Sequence, residues 1–133
     1  SFPAKAGTIE APVGRDRRDR KRMTVSGNGK PAVTNYRIRE ALGEYTLLEV
    51  ELETGRTHQI RVHLAFIGHP VAGDSVYGRG ARDRRVLGLQ RQFLHAYRLT
   101  LPHPADGRIL DFREDLPDDL EVVLGALRRS AAR

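Results

Sequence analysis

The chain has 133 residues, 39% of them hydrophobic and 30% charged, which is one domain's length and a globular rather than a disordered composition. It contains no cysteine, which excludes disulfides and thiolate metal sites, and no apolar run approaches the roughly 20 residues of a membrane span. The net charge is +6 and the pI about 10.3, so a polyanionic partner is expected, nucleic acid first among the candidates. Of the 23 basic residues only Lys5, Lys21 and Lys30 are lysine; the rest are arginines, whose planar donor fork suits phosphates and base edges. SFPAKAGTIE shows no secretory leader pattern, and the expected location is cytoplasmic.

Residues 1–14 read as an extended lead-in. Thr8 to Val13 predicts an edge strand, because Pro12 cannot donate to a central ladder, and Gly14 is expected to end it. Residues 15–22, RDRRDRKR, offer no apolar position for burial and read as a solvated loop. Between Arg15 and Arg39 there are nine basic and two acidic residues, a basic patch rather than an alternating-sign surface. Arg15, Arg17, Arg18, Arg20, Lys21 and Arg22 are therefore candidate nucleic-acid-contacting residues, for RNA or DNA. An ordinary charged loop is the alternative.

Ser26-Gly27-Asn28-Gly29 is a turn with the Asn-Gly hairpin signal. Ala32 to Arg39 alternates, with Thr34, Tyr36 and Ile38 against Asn35, Arg37 and Arg39, as in a half-buried strand. After a connection at Gly43, Thr46 to Glu53 alternates again, with Leu48, Val50 and Leu52 opposite three glutamates. An antiparallel pair is expected, with the basic face of one strand meeting the acidic face of the other.

The stretch Glu53 to Gly78 places Arg56, His58, Gln59, Arg61 and His63 within eight residues, interleaved with apolar ones. Its periodicity admits either a strand or a helix. The end signals favour a helix, with Thr57 as N-cap and Gly68 followed by Pro70 as exit. Helical spacing puts His58 and Arg61 on one face near the N-terminus, where anions are favoured. Val71 to Gly80 is expected to be a loop, in which Asp74 makes turn hydrogen bonds. Arg79, Arg82, Arg84, Arg85 and Arg91 form a second basic cluster on a short helix or loop. Phe93 to Leu101 predicts a strand ended by Pro102 and Pro104, and Arg108 to Arg113 its return after Gly107. Pro117 opens a last helix with Leu120, Val123, Leu124 and Leu127 as its buried stripe.

Known chemistries find little support in the residues alone. The five histidines, His58, His63, His69, His95 and His103, lack zinc-protease spacing, and no metal site is expected. There is no Gly-x-Ser-x-Gly elbow and no phosphate loop. The residues point to a basic α+β domain: an antiparallel or mixed sheet with one polar signature helix and a C-terminal helix.

GRTHQIRVHLAFIGHPVAGDSVYG resembles the signature of the RluA/RluD-type RNA pseudouridine synthases. GRDRRDRKRM, GKPAVTNYRI, LLEVELETG, FLHAYRLTLPHP and DLPDDL resemble further segments of that family in the same order, so the likeness covers nearly the whole chain. It implies isomerisation of selected uridines in structured RNA, ribosomal or transfer, without cofactor or metal, the target base being flipped from its stack. The family's catalytic aspartate lies in a His-Arg-Leu-Asp motif that this sequence lacks, as it lacks the family's tyrosine motif. By this resemblance residues 1–133 are the C-terminal portion of a catalytic domain, inactive alone, whose partner is the remaining N-terminal half. Arg61 then pairs with the catalytic aspartate, holding it ionised and oriented. Leu94 falls where the family has an apolar residue lining the uracil pocket, with core packing as the alternative. Arg56, His58, Gln59 and His63 are expected to contact the substrate or to buttress the helix. A non-catalytic basic RNA-binding module is the second functional expectation.

Overall fold

In a computed structural model, which describes residues 2, 4–102, 105 and 107–132, the alternating segments form antiparallel strands. β1 (Ala6–Glu10), β4 (Val33–Leu42) and β5 (Tyr45–Leu52) make a three-stranded sheet in the order β1-β4-β5. β2 (Val13–Arg15) pairs with β3 (Met23–Val25), and β6 (Arg98–Pro102) with β7 (Ile109–Arg113). Three helices follow the same chain order: α1 (Gln59–Phe66), α2 (Gly80–Leu87) and α3 (Asp118–Ala131). No helix among the described residues is long and apolar enough to cross a membrane. His103 and Pro104 lie outside the described residues.

The β4–β5 hairpin matches the alternation. Tyr36 faces Val50 and Ile38 faces Leu48, while Arg37 faces Glu49. Across the pair Arg39 donates to Glu49 at 2.9 Å and Asn35 to Glu53 at 2.8 Å, the expected use of the glutamates. Gly43 turns the chain with φ of 72°, a conformation glycine adopts without a Cβ penalty.

Three boundaries differ from expectation. The first strand begins at Ala6 and breaks at Ala11 and Pro12, after which Gly14 continues into β2. Pro12 thus marks a change of sheet, and β1 is the edge strand of its sheet as expected. The Ser26–Gly29 turn closes through the Gly29 amide and Ser26 carbonyl at 2.9 Å. It joins no two-residue hairpin: β3 pairs backward with β2, and Lys30 returns to the other side of Val13. Finally, Phe93 to Tyr97 is irregular and the strand begins only at Arg98. Phe93 is instead tied by its amide to the Ala72 carbonyl at 2.8 Å, and its ring joins the cluster of Leu89, Leu120 and Val123.

Helix α1 occupies a fork between the two N-terminal sheets. On one side Leu64 packs with Ile9 and Val71, flanked by Ile60, Ile67, Tyr36 and Leu48. On the other, Val62 packs with Val13 and Ala32, flanked by Met23, Val25 and Tyr77. Burial on both sides is why its apolar residues alternate as in a strand although the segment is helical. Leu120, Val123 and Leu124 of α3 are buried as the stripe predicts.

Candidate functional site

The start of α1 is laced to β4 by buried polar groups. Gln59, 2% exposed, donates from Nε2 to the Val33 carbonyl at 3.0 Å and to Thr34 Oγ1 at 2.8 Å. Its Oε1 accepts from Thr54 Oγ1 at 2.7 Å and the Arg56 amide at 3.0 Å, so all four bonding positions are filled. His63 is fully buried, with Nε2 2.8 Å from the Ala11 carbonyl and Nδ1 2.7 Å from Thr34 Oγ1. The carbonyl can only accept, so Nε2 carries a proton. Gln59 and His63 are thus buried and bonded within the chain, the geometry of the buttress alternative. Arg56 donates from Nε to the Pro31 carbonyl at 2.9 Å, holding the loop before α1.

Thr57 is not the helix cap. His58 takes that position in the left-handed region, φ 55°, with no side-chain cap bond, and it is the only non-glycine residue with positive φ among the described residues. Such a conformation costs energy that neighbouring contacts must offset. The His58 imidazole provides one such contact, its Nδ1 lying 2.8 Å from Tyr77 Oη. Burial, then the nearby Arg61 charge, push the His58 pKa down and favour the neutral ring.

Arg61 projects from α1 onto Asp74. Its Nε and Nη2 donate to Asp74 Oδ2 and Oδ1 at 2.8 and 3.0 Å, a bidentate pair whose side chains are 13% and 0% exposed. Asp74 Oδ1 also accepts from the amides of Val76 and Tyr77 at 2.9 and 3.1 Å. Burial raises its pKa, but the Arg61 bonds and the Tyr77 and Val76 amides outweigh it and hold the carboxyl below the ordinary aspartate range. The turn bonds were legible in Gly-Asp-Ser; the arginine was not, because it comes from another element 13 residues away. The loop is held in turn by Asp83, which accepts from the Gly73 amide at 3.0 Å and from Tyr45 Oη at 2.9 Å. Gly73 has φ of 80°, and a Cβ there would lie 2.5 Å from the Arg91 carbonyl oxygen. Only glycine satisfies both constraints.

Tyr77, unremarked in the residue pattern, stands at the centre of this group. Its Oη accepts from the Met23 amide at 2.9 Å, and the Cζ atoms of Arg22 and Arg61 each lie 5.0 Å from its ring centroid. Beside it Arg22, Met23, Val25, Val62, Ala65, Phe66 and Tyr77 line an open groove of about 240 Å³.

The preceding loop carries the first basic cluster. Its two acids serve the loop itself: Asp16 accepts from the amides of Arg18 and Asp19, and Asp19 from that of Lys21. The Arg18 and Asp19 amides hold the Asp16 carboxyl below its ordinary range. Arg15, Arg17, Arg18, Arg20 and Lys21 are exposed, whereas Arg22 is half-buried and donates to the Val76 carbonyl at 3.0 Å. The second cluster is partly neutralised, Arg82 by Glu44 at 3.0 Å and Arg91 by Asp119 at 3.0 Å. Leu94 is half-buried against the Ile9, Leu64 and Val71 cluster, the core-packing alternative.

Comparison with known proteins bears on the chain as a whole. A family model described as RNA pseudouridylate synthase matches residues 1–66. An uncharacterised RNA pseudouridine synthase of Chloroflexus aurantiacus is 55% identical over 130 residues, covering 98% of this chain and 40% of that protein. The ribosomal large subunit pseudouridine synthase D of Nitrosomonas europaea is 53% identical over 128 residues, covering 93% of the chain and 37% of its own length. Among solved structures, human RNA pseudouridylate synthase domain containing 1 superposes with a TM-score of 0.70 at 27% identity, covering 96% of this chain and 61% of that one. The chain therefore spans about 40% of the length of the curated relatives it matches.

Proposed function

This chain belongs to the RluA/RluD-type family of RNA pseudouridine synthases, and on that premise we propose that it is the C-terminal portion of a catalytic domain that isomerises specific uridines in structured RNA. The family's reaction breaks the N1–C1′ bond of a flipped-out uridine, turns the base and forms a C5–C1′ bond. The relatives named for the ribosomal large subunit support ribosomal RNA as the substrate class, with transfer RNA the alternative. Such a role belongs in the cytoplasm.

One observation supports the reading above the rest: among the described residues, Arg61 is held by one edge only. Asp74 takes the side-on Nε/Nη2 edge. A guanidinium has a second, end-on edge, which remains for another carboxylate. In this proposal that carboxylate is the catalytic aspartate supplied by the rest of the enzyme, kept ionised and aimed at the sugar or base by the arginine. His58 and Arg56 stand nearby as candidate substrate contacts, Leu94 as a pocket-lining one. The exposed cations of residues 15–22 grip the RNA backbone.

Tritium release from RNA carrying 5-tritiated uridine tests the activity in the full-length protein. Arg61→Met is expected to abolish release while largely sparing RNA affinity, since the proposal assigns phosphate contact to the cations of residues 15–22 and not to Arg61. Lost affinity with turnover intact at saturating RNA would remove Arg61 from the catalytic role. No release by the unaltered protein on its cellular RNAs would leave a non-catalytic RNA-binding module.

A further inference from the structure

Two parts of the site have no backbone continuity: the cationic loop between β2 and β3, and the Arg61–Asp74 pair. Tyr77 joins them. Its Oη receives the amide of Met23, the first residue of β3, at 2.9 Å, and reaches His58 Nδ1 at 2.8 Å. Its ring lies between the reach of two guanidinium groups, Arg22 from the loop and Arg61 from α1. Arg22 closes the circuit by donating to the Val76 carbonyl, next to Tyr77 in sequence. Tyr77 itself is placed by Asp74, which accepts its amide.

We infer that Tyr77 is a positioning residue, tying the RNA-gripping loop to Arg61 so that an RNA backbone seated on Arg17, Arg18, Arg20 and Lys21 is delivered in register with the arginine. The inference rests on the RNA reading above. It follows from the shape of the parts. The loop's exposed cations can set the register of a bound RNA backbone, but only relative to the element that carries them. Register with Arg61 requires the loop to be fixed relative to α1, and Tyr77 with Arg22 makes the polar links between them. The hydroxyl bonding is also directional. Oη accepts from the Met23 amide, so its own proton is free for His58 Nδ1, which then accepts as a neutral imidazole. The charged and titratable groups facing that ring are Arg61, Asp74 and Tyr77.

Tyr77→Phe keeps the ring and deletes the hydroxyl. In the full-length protein the KM for RNA is expected to rise about fivefold, the equivalent of one lost hydrogen bond, with kcat changed less than twofold. The His58 titration, followed by nuclear magnetic resonance, is expected to move up, because the neutral ring loses its donor. Tyr77→Leu, which also removes the surface under Arg61, should lower kcat about tenfold further. Overturning results are an unmoved KM and His58 titration in Tyr77→Phe, or losses in both variants that scale only with the fraction unfolded. Should the protein show no turnover, the functional proposal fails, while RNA affinity and the His58 titration still decide the tether.

Discussion

Asp74 accepts four hydrogen bonds without solvent access, two from Arg61 and two from backbone amides. A buried ion pair of this kind adds little net stability over an apolar pair, but removing one charge leaves the other stranded. Asp74→Asn is accordingly expected to cost about 3 kcal/mol at pH 7, read from urea denaturation, and to depress turnover by freeing Arg61. The pH dependence has a definite sign. The folded-state pKa is lowered, so the unfolded chain takes up the proton first as the medium is acidified. The stabilisation is complete above the unfolded aspartate pKa of about 3.9 and is lost as pH falls through the folded value. The gap between the parent protein and Asp74→Asn should therefore narrow below about pH 4.

Helix α1 shows how an element's two ends differ in legibility. Its exit is a Schellman arrangement: the His69 amide reaches the Leu64 carbonyl at 2.9 Å and the Gly68 amide that of Ala65 at 3.0 Å, with Gly68 at φ 85°. Glycine followed by proline announces that geometry in the residues themselves. At the start, tertiary bonds replace a local cap, with Gln59 laced to β4 and His58 drawn to Tyr77. Thr57 had the right chemistry for a cap, yet those contacts pulled the backbone elsewhere. Two substitutions separate the ends. Gly68→Ala should cost about 1 kcal/mol because alanine resists positive φ. Thr57→Ala should stay within about 0.5 kcal/mol, as expected of a surface position with no cap bond to lose. Thermal or urea unfolding of the pair checks both.

At the scale of the molecule, the net charge of +6 is unevenly compensated. Glu44 and Asp119 engage Arg82 and Arg91, whereas the acids of the first loop bond backbone amides and leave Arg17, Arg18, Arg20 and Lys21 for a ligand. Replacing Arg17, Arg18 and Lys21 together by glutamate should weaken RNA binding. It should also reduce the slope of log affinity against log salt by roughly two, near 0.7–0.9 for each phosphate that is no longer neutralised. An unchanged slope in filter binding across salt concentrations would reduce the loop to ordinary surface.

The residues by themselves determined the antiparallel β4–β5 hairpin, the end of α1, the apolar stripe of α3 and the basic character of the first loop. Each depends on periodicity, turn chemistry or charge, which act over a few neighbouring positions. The signature stretch also carried the resemblance to the pseudouridine synthase family. Tertiary structure alone decided that Gln59 and His63 are interior struts, that Arg61 meets Asp74, and that Tyr77 gathers Arg22, Met23, His58 and Arg61 around one ring. The physical reason is the same in each case. Burial and bidentate pairing are properties of surfaces brought together from different elements, and no spacing along the chain records which surface a side chain will find.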